Sequence, residues 1–263
     1  MARYQVPGGL VLLAVVVGAC AKQAAVVEAK GECGVVFNGE ICTWSRTQGT
    51  TVVAVGADVP VASIQNAPQE ADMAWPPKSA AILQLPAAVQ QATGLTQLTV
   101  YWEAAGHPPG PYMTPHFDFH FYTIPHADQA AIDCADVAKP ATLATGYSLP
   151  DQPLPPDMAK MIGVSTLVGI CVPGMGMHSL LTAELERKDV FRGSVVLGYY
   201  HGKPIFVEPM LMRALLDGKR SFDLPIPAAI PGMAGAYPRN FHAEYDAQAQ
   251  VYHFVFTNFV AGS

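Results

Sequence analysis

The sequence predicts a mainly β protein, an antiparallel β-sandwich or barrel with two or three short helices. Three observations carry that expectation. Short runs of β-branched and aromatic residues recur between turn signals along most of the chain. Gly 23 and Pro 23 together make about a sixth of the 263 residues, too many for a helix bundle. No heptad pattern, internal repeat or low-complexity tract interrupts this organisation.

At the N-terminus, Arg3 precedes an apolar run over residues 9–18 that is shorter than the roughly 20 residues a bilayer span needs. A basic start, a short apolar stretch and small residues at its end describe a secretory signal peptide, here residues 1–19. Val17-Gly18-Ala19-Cys20 resembles the lipobox of bacterial lipoproteins. The resemblance implies a lipid on Cys20, an anchor in a membrane and a place in the bacterial cell envelope. Residues 20–32 then read as a tether and residues 33–263 as one β-rich domain.

Within that domain, strands are expected over residues 34–37, 41–44, 50–55 and 59–64. Residues 86–93 form a short helix, with Pro86 at its first position and Gly94 after its end. A strand over 98–103 leads into a Pro/Gly loop at 106–111 and an aromatic segment at 115–122. A helix lies within 128–137, and a Pro-rich surface connection occupies 141–157. Residues 194–200 and 204–208 read as a hairpin across His201-Gly202, followed by a helix at 210–216. The last strand is expected over 251–260.

The charge balance excludes one class of partner. Only 14% of residues are charged, with Lys+Arg 15 against Asp+Glu 21 and a net charge of -6. Nucleic acid calls for clustered cations, which this chain lacks. The five cysteines are an odd number. A lipid on Cys20 leaves Cys33, Cys42, Cys134 and Cys171, an even set suited to two disulfides in an oxidising compartment. Three connectivities are open; nearness in sequence pairs Cys33 with Cys42 and Cys134 with Cys171. A two-residue turn at Asn38-Gly39 would set Cys42 opposite Val35, so the first bridge needs a longer loop or a bulge. No C-x-x-C spacing supports a thiolate metal site.

The segment Thr114-Pro-His-Phe-Asp-Phe-His-Phe-Tyr122 is the most informative. In a strand, His116, Asp118 and His120 share one face and Phe117, Phe119 and Phe121 the other. Residues two apart lie about 6.6 Å from each other and can share an ion; residues four apart lie about 13 Å from each other, near the limit for two imidazoles. A flat strand therefore supplies adjacent pairs rather than all three groups. His178 follows a Gly-rich turn, and Glu208 ends an apolar strand where a buried carboxylate needs a partner. His116, Asp118, His120, His178 and Glu208 form a nitrogen/oxygen ligand set suited to zinc first, and also to manganese, iron or nickel. Asp118 and Glu208 are the candidate general bases.

Blander readings stand beside each residue. His116 and His120 also suit a hydrogen-bonded polar cleft, His178 a turn cap, and Glu208 a partner for Lys203 or Arg213. His107, His126 and His201 read as surface residues, and His242 and His253 as packing residues of a C-terminal hairpin. Met175, Met177, Met210 and Met212 read as core filling before copper ligands.

Tyr-Trp-Glu, Gly-His-Pro-Pro-Gly-Pro-Tyr, Pro-His-Phe-Asp-Phe-His-Phe-Tyr, Pro-Gly-Met-Gly-Met-His and Phe-Val-Glu-Pro-Met together resemble an uncharacterised family of exported bacterial proteins. The resemblance spans roughly residues 50–260. It implies that the five candidate ligands belong together and carries no reaction with it. The H-x-D-x-H pattern also resembles the H-x-H strands of cupins and α-type carbonic anhydrases, but its spacing departs from both.

Two functions follow. The first is a lipid-anchored protein with a metal site, as a metal-dependent hydrolase or lyase if catalytic. The second is a non-catalytic envelope module whose His/Tyr-lined cleft binds a ligand or partner and holds no metal. Three protein ligands with an open position would favour catalysis, four a structural site. A small molecule, another protein or a second copy of the chain are all compatible occupants or partners.

Overall fold

The computed structural model describes residues 24–72 and 74–262. The signal peptide, the lipobox and Cys20 lie outside the described residues. The described residues open with three strands, β1 (Val26–Val36), β2 (Gly39–Gln48) and β3 (Thr51–Pro60), and helix α1 (Val61–Gln65). Next come β4 (Ala81–Gln84), α2 (Ala87–Thr93), β5 (Gln97–Glu103), β6 (His116–Tyr122) and α3 (His126–Ala130). A looser stretch holds β7 (Tyr147–Ser148), β8 (Gln152–Pro153), α4 (Pro156–Ile162) and β9 (Thr166–Leu167). Then follow β10 (Met177–Leu181), α5 (Thr182–Leu185), β11 (Gly193–Tyr200), β12 (Lys203–Met212) and α6 (Arg213–Asp217). The chain ends with β13 (Phe222–Pro225), β14 (Ala236–Tyr237), β15 (Asn240–Asp246), β16 (Val251–Thr257) and β17 (Val260–Ala261).

The strands form two large antiparallel sheets, as expected of a mainly β chain. One has six strands in the order β1-β2-β3-β16-β15-β13, the other seven in the order β4-β5-β6-β12-β11-β10-β7. Their inner faces meet through the phenylalanines of β6. Phe119 packs edge-on against Phe254 at 4.9 Å between ring centres, and Phe121 against Phe256 at 4.8 Å. Edge-to-face rings add about 0.5–1.5 kcal/mol per pair beyond the burial of their area. Because side chains alternate along a strand, seating these phenylalanines turns His116, Asp118 and His120 to the opposite face.

Four local expectations need correction. Residues 26–32 are not tether, because β1 starts at Val26 and pairs with β2 from Val26↔Gln48 onward. The run at 59–64 is not one strand: β3 stops at Pro60, which caps α1. The helix expected from 210 starts at Arg213. Met210 and Leu211 instead continue β12, paired to Asp118 and Phe117 on one side and to Ser194 and Gly193 on the other. Sheet pairing on both edges outweighs the helical propensity of that run.

The fourth correction concerns the first disulfide. Cys33–Cys42 and Cys134–Cys171 are bonded, as nearness suggested. The turn between β1 and β2, however, centres on Phe37 and Asn38, both at positive φ, rather than on Asn38-Gly39. Val36 then faces Gly39 and Cys33 faces Cys42 directly, with 4.0 Å between their Cα atoms. No longer loop is required. Gly39 is instead pressed against α1, where an added Cβ would lie 2.1 Å from Ser63 Oγ.

Candidate metal centre

Five strands build the site on the outer face of the seven-stranded sheet. Directly opposed residues share a face, so the register of β5 sets Glu103 beside His116, Tyr101 beside Asp118 and Thr99 beside His120. On the other side of β6, Met210 of β12 is opposite Asp118 and Phe206 is opposite Tyr122, which brings Glu208 alongside His120. His178 reaches this face from β10, opposite Gly198 of β11, which is itself opposite Phe206. A Cβ on Gly198 would sit 1.9 Å from the Phe206 ring. The missing side chain lets that ring lie between the two histidines, at 4.6 Å from His120 and 5.2 Å from His178 between ring centres.

The five predicted ligands lie on one face but divide into two clusters. His120 Nε2 is 3.4 Å from His178 Nε2 and 3.4 Å from Glu208 Oε2. His116 Nε2 is 3.4 Å from Asp118 Oδ1 and 3.1 Å from Nε2 of His107. Each three-residue cluster could hold a metal ion. A third grouping, Cys33, Glu40 and Cys42, has its two sulfurs bonded to each other. Ligands held about 2.1 Å from an ion stand about 3.4 Å apart at tetrahedral angles and about 3.0 Å apart at right angles. The observed separations fall between these limits.

Hydrogen bonding fixes which ring nitrogen faces the cluster. Nδ1–H of His116 donates to the Thr114 carbonyl at 2.6 Å, that of His107 to Pro108 at 2.9 Å and that of His178 to Ile170 at 3.0 Å. Committing Nδ1 to a carbonyl leaves Nε2 as a lone pair, the arrangement a ligating histidine requires. A proton shared between facing Nε2 atoms is disfavoured, because burial pushes His116 and His120 well below the ordinary histidine value and His178 down to about 4. At His107 and His116, whose Nδ1–H groups are both committed, two Nε2 lone pairs therefore face each other.

The carboxyls show the complementary behaviour. Asp118 and Glu208 are 4% and 1% exposed, and burial raises both well above the usual carboxylate range. They are diagonal neighbours across β6 and β12, close enough for each carboxyl to act on the other. Asp118 Oδ1, Glu208 Oε2 and His120 Nδ1 are buried without a hydrogen-bond partner. Glu103, beside His116, is pushed up to about 7 by burial. Leaving such groups unpaired costs about 1–3 kcal/mol each, more if charged. A cation would satisfy the two unpartnered carboxyl oxygens.

A cavity of about 240 Å³ opens onto this face. Trp75, Trp102, Met158, Met161, Ile162 and Leu167 contribute to its apolar wall, while Glu103, His107, Asp118 and His178 also line it. An apolar cleft with a few convergent polar groups is the usual form of a small-molecule site.

His107 is not the surface residue expected from its Pro-rich loop. Gly106, at φ +69, lies so close to the returning chain that a Cβ would meet Tyr112 O at 2.2 Å and Thr114 N at 2.3 Å. That close approach folds the loop back and carries His107 over His116. The Gly before the His was the available signal. Glu103 was likewise missed, although it lies on the same face of β5 as Tyr101. Glu208 faces neither Lys203 nor Arg213 but His120 and Asp118.

His201 is exposed and paired with Asp136, and His126 is exposed. His242 and His253 do not act chiefly through ring packing; they pair with Asp223 at 2.8 Å and Asp58 at 2.7 Å. Met177 and Met210 are buried in the core, as expected.

Comparisons of the chain with protein-family models, with curated proteins and with solved structures give no match.

Proposed function

We propose that this protein is a lipid-anchored, metal-binding protein of the bacterial cell envelope, acting as a metal-dependent hydrolase or lyase. The observation that carries the reading is the convergence of His178 Nε2 and Glu208 Oε2 on His120 Nε2, each 3.4 Å from it, with His178 Nδ1 committed to a backbone carbonyl. Zinc is the expected ion, and manganese, iron or nickel suit the same donors. When bound, a divalent ion supplies Lewis acidity beside the cavity. Three protein ligands leave a position open, which favours catalysis over a closed structural site. The chain's own part is to hold the His178 imidazole in one tautomer, to keep Asp118 and Glu208 out of bulk water, and to admit a small molecule with an apolar body. Asp118, outside this ligand set, remains the candidate base.

Anchoring rests on Val17-Gly18-Ala19-Cys20, and the two disulfides fit an oxidising compartment. Among the described residues no helix is long and apolar enough to cross a membrane. Radiolabelled fatty acid should enter the wild-type protein and not Cys20→Ala; equal labelling would remove the anchor from the account.

The closeness of the Asp118 and Glu208 carboxyls favours a second reading, a metal-free cleft in which the pair holds one proton. Elemental analysis of the purified protein, reconstituted with Zn2+, separates the two. Stoichiometric zinc in the wild type and a loss in His120→Ala/His178→Ala support the metal reading. No zinc in a folded wild type leaves only the cleft.

A further inference from the structure

We infer that the centre holds two ions rather than one, the second bound by His107, His116 and Asp118. The inference rests on the metal-binding reading and extends it to a paired site. The two clusters use no residue in common: His107, His116 and Asp118 form one, His120, His178 and Glu208 the other. One ion cannot serve both, since His116 and His120 are four residues apart on an extended strand, about 13 Å along it.

The second cluster is built from the same donor types as the first, two imidazoles and a carboxyl. His107 Nε2 faces His116 Nε2 at 3.1 Å, and both rings give their Nδ1–H to backbone carbonyls, of Pro108 and Thr114. Neither facing nitrogen carries a proton, so the contact is repulsive unless a cation lies beside it. Asp118 Oδ1 stands 3.4 Å from His116 Nε2, is buried, and has no hydrogen-bond partner. This unpartnered carboxyl oxygen completes the second set.

Charge balance favours two ions. Asp118 and Glu208 are buried and Glu103 is half-buried on one face, and the cavity beside them is lined by no Lys or Arg. Two divalent ions supply the positive charge that the side chains do not. Asp118 and Glu208, one from each cluster, are diagonal neighbours across β6 and β12. Two ions on this face would each offer Lewis acidity to a group entering from the cavity. Substrate groups reaching both ions from the cavity would be esters, amides or phosphoesters attached to an apolar body.

The test is zinc stoichiometry of the full chain, with Mn2+ magnetic resonance as an independent readout. Wild type should bind two zinc ions per chain, His107→Ala one, His178→Ala one, and the double variant none. His107→Gln, which keeps more of the packing, should behave as His107→Ala, and circular dichroism should match wild type in each. With Mn2+, the resonance signal should report two ions per chain in the wild type and one in either single variant. One zinc in the wild type, kept by His107→Ala and lost by His178→Ala, would overturn the second site while leaving the proposed function intact. One zinc lost in either single variant would overturn the paired arrangement in favour of a single shared site. No zinc in any form would remove both readings.

Discussion

Replacing Gly198 by alanine should weaken metal binding at the His120, His178 and Glu208 cluster although the residue ligates nothing. The new Cβ would lie 1.9, 2.0 and 2.2 Å from three atoms of the Phe206 ring. Carbon atoms in contact prefer about 3.5–4.0 Å, so the ring must retreat by more than about 1 Å. It has little room. His120, Tyr122 and His178 surround it at ring-centre distances of 4.6, 5.1 and 5.2 Å. Overpacking of this kind costs about 1–3 kcal/mol, which for a chain of this size lowers Tm by roughly 3–10 °C. Metal sites tolerate ligand displacements of only about 0.2 Å, and losing such support typically costs about 10–100-fold in affinity. Zinc affinity measured by competition with a chromophoric chelator should therefore fall by about that factor. Gly110→Ala, whose Cβ would meet nothing within 4 Å, is the control and should change neither quantity. A folded Gly198→Ala protein with wild-type zinc affinity would refute the role given to Phe206.

Other predictions address acidity, covalent staples and a buried hydrogen bond. Burial raises Asp118 and Glu208, so the ion-free site holds protons that a cation must expel; affinity should rise with pH, and calorimetry in buffers of different ionisation heat should detect proton release on loading. Heats independent of buffer would contradict this. Cys134→Ser/Cys171→Ser opens a bridge spanning 37 positions, which a chain-entropy treatment values at about 4 kcal/mol; Tm should fall by roughly 10 °C, with zinc affinity falling too because Ile170, next to Cys171, orients His178. An unchanged affinity would detach the bridge from the site. Tyr112→Phe removes the buried hydrogen bond to Glu184 at 3.0 Å and should cost about 1–2 kcal/mol in a denaturant melt, leaving zinc stoichiometry unchanged. A melt identical to wild type would count against that bond.

Much of the architecture is legible because it depends on local pattern. The strict alternation in His-Phe-Asp-Phe-His is enough to put the phenylalanines on the core and the ionisable groups on the other face. The 13 Å spacing of His116 and His120 also explains why the structure gathers the histidines into two groups. Both disulfides follow from nearness in sequence. What pattern does not carry is contact made across the fold. His107 sits in a loop without periodicity, and its position depends on Gly106 nesting against Tyr112 and Thr114. The Phe37-Asn38 turn shifts the register by one residue relative to the Asn-Gly signal, because Gly39 is needed where α1 presses on the strand. The extension of β12 through Met212 is likewise set by partners on both sides, β6 and β11.

The central claim is that the sheet's outer face is a metal centre built by imidazole Nε2 atoms and buried carboxylates. Anomalous scattering at the zinc edge, from crystals of the zinc-loaded protein, tests it most directly. The account predicts a peak about 2.0–2.2 Å from Nε2 of His120, Nε2 of His178 and a carboxylate oxygen of Glu208. A zinc-loaded crystal with no peak on this face, or with zinc held only by surface side chains, would contradict it.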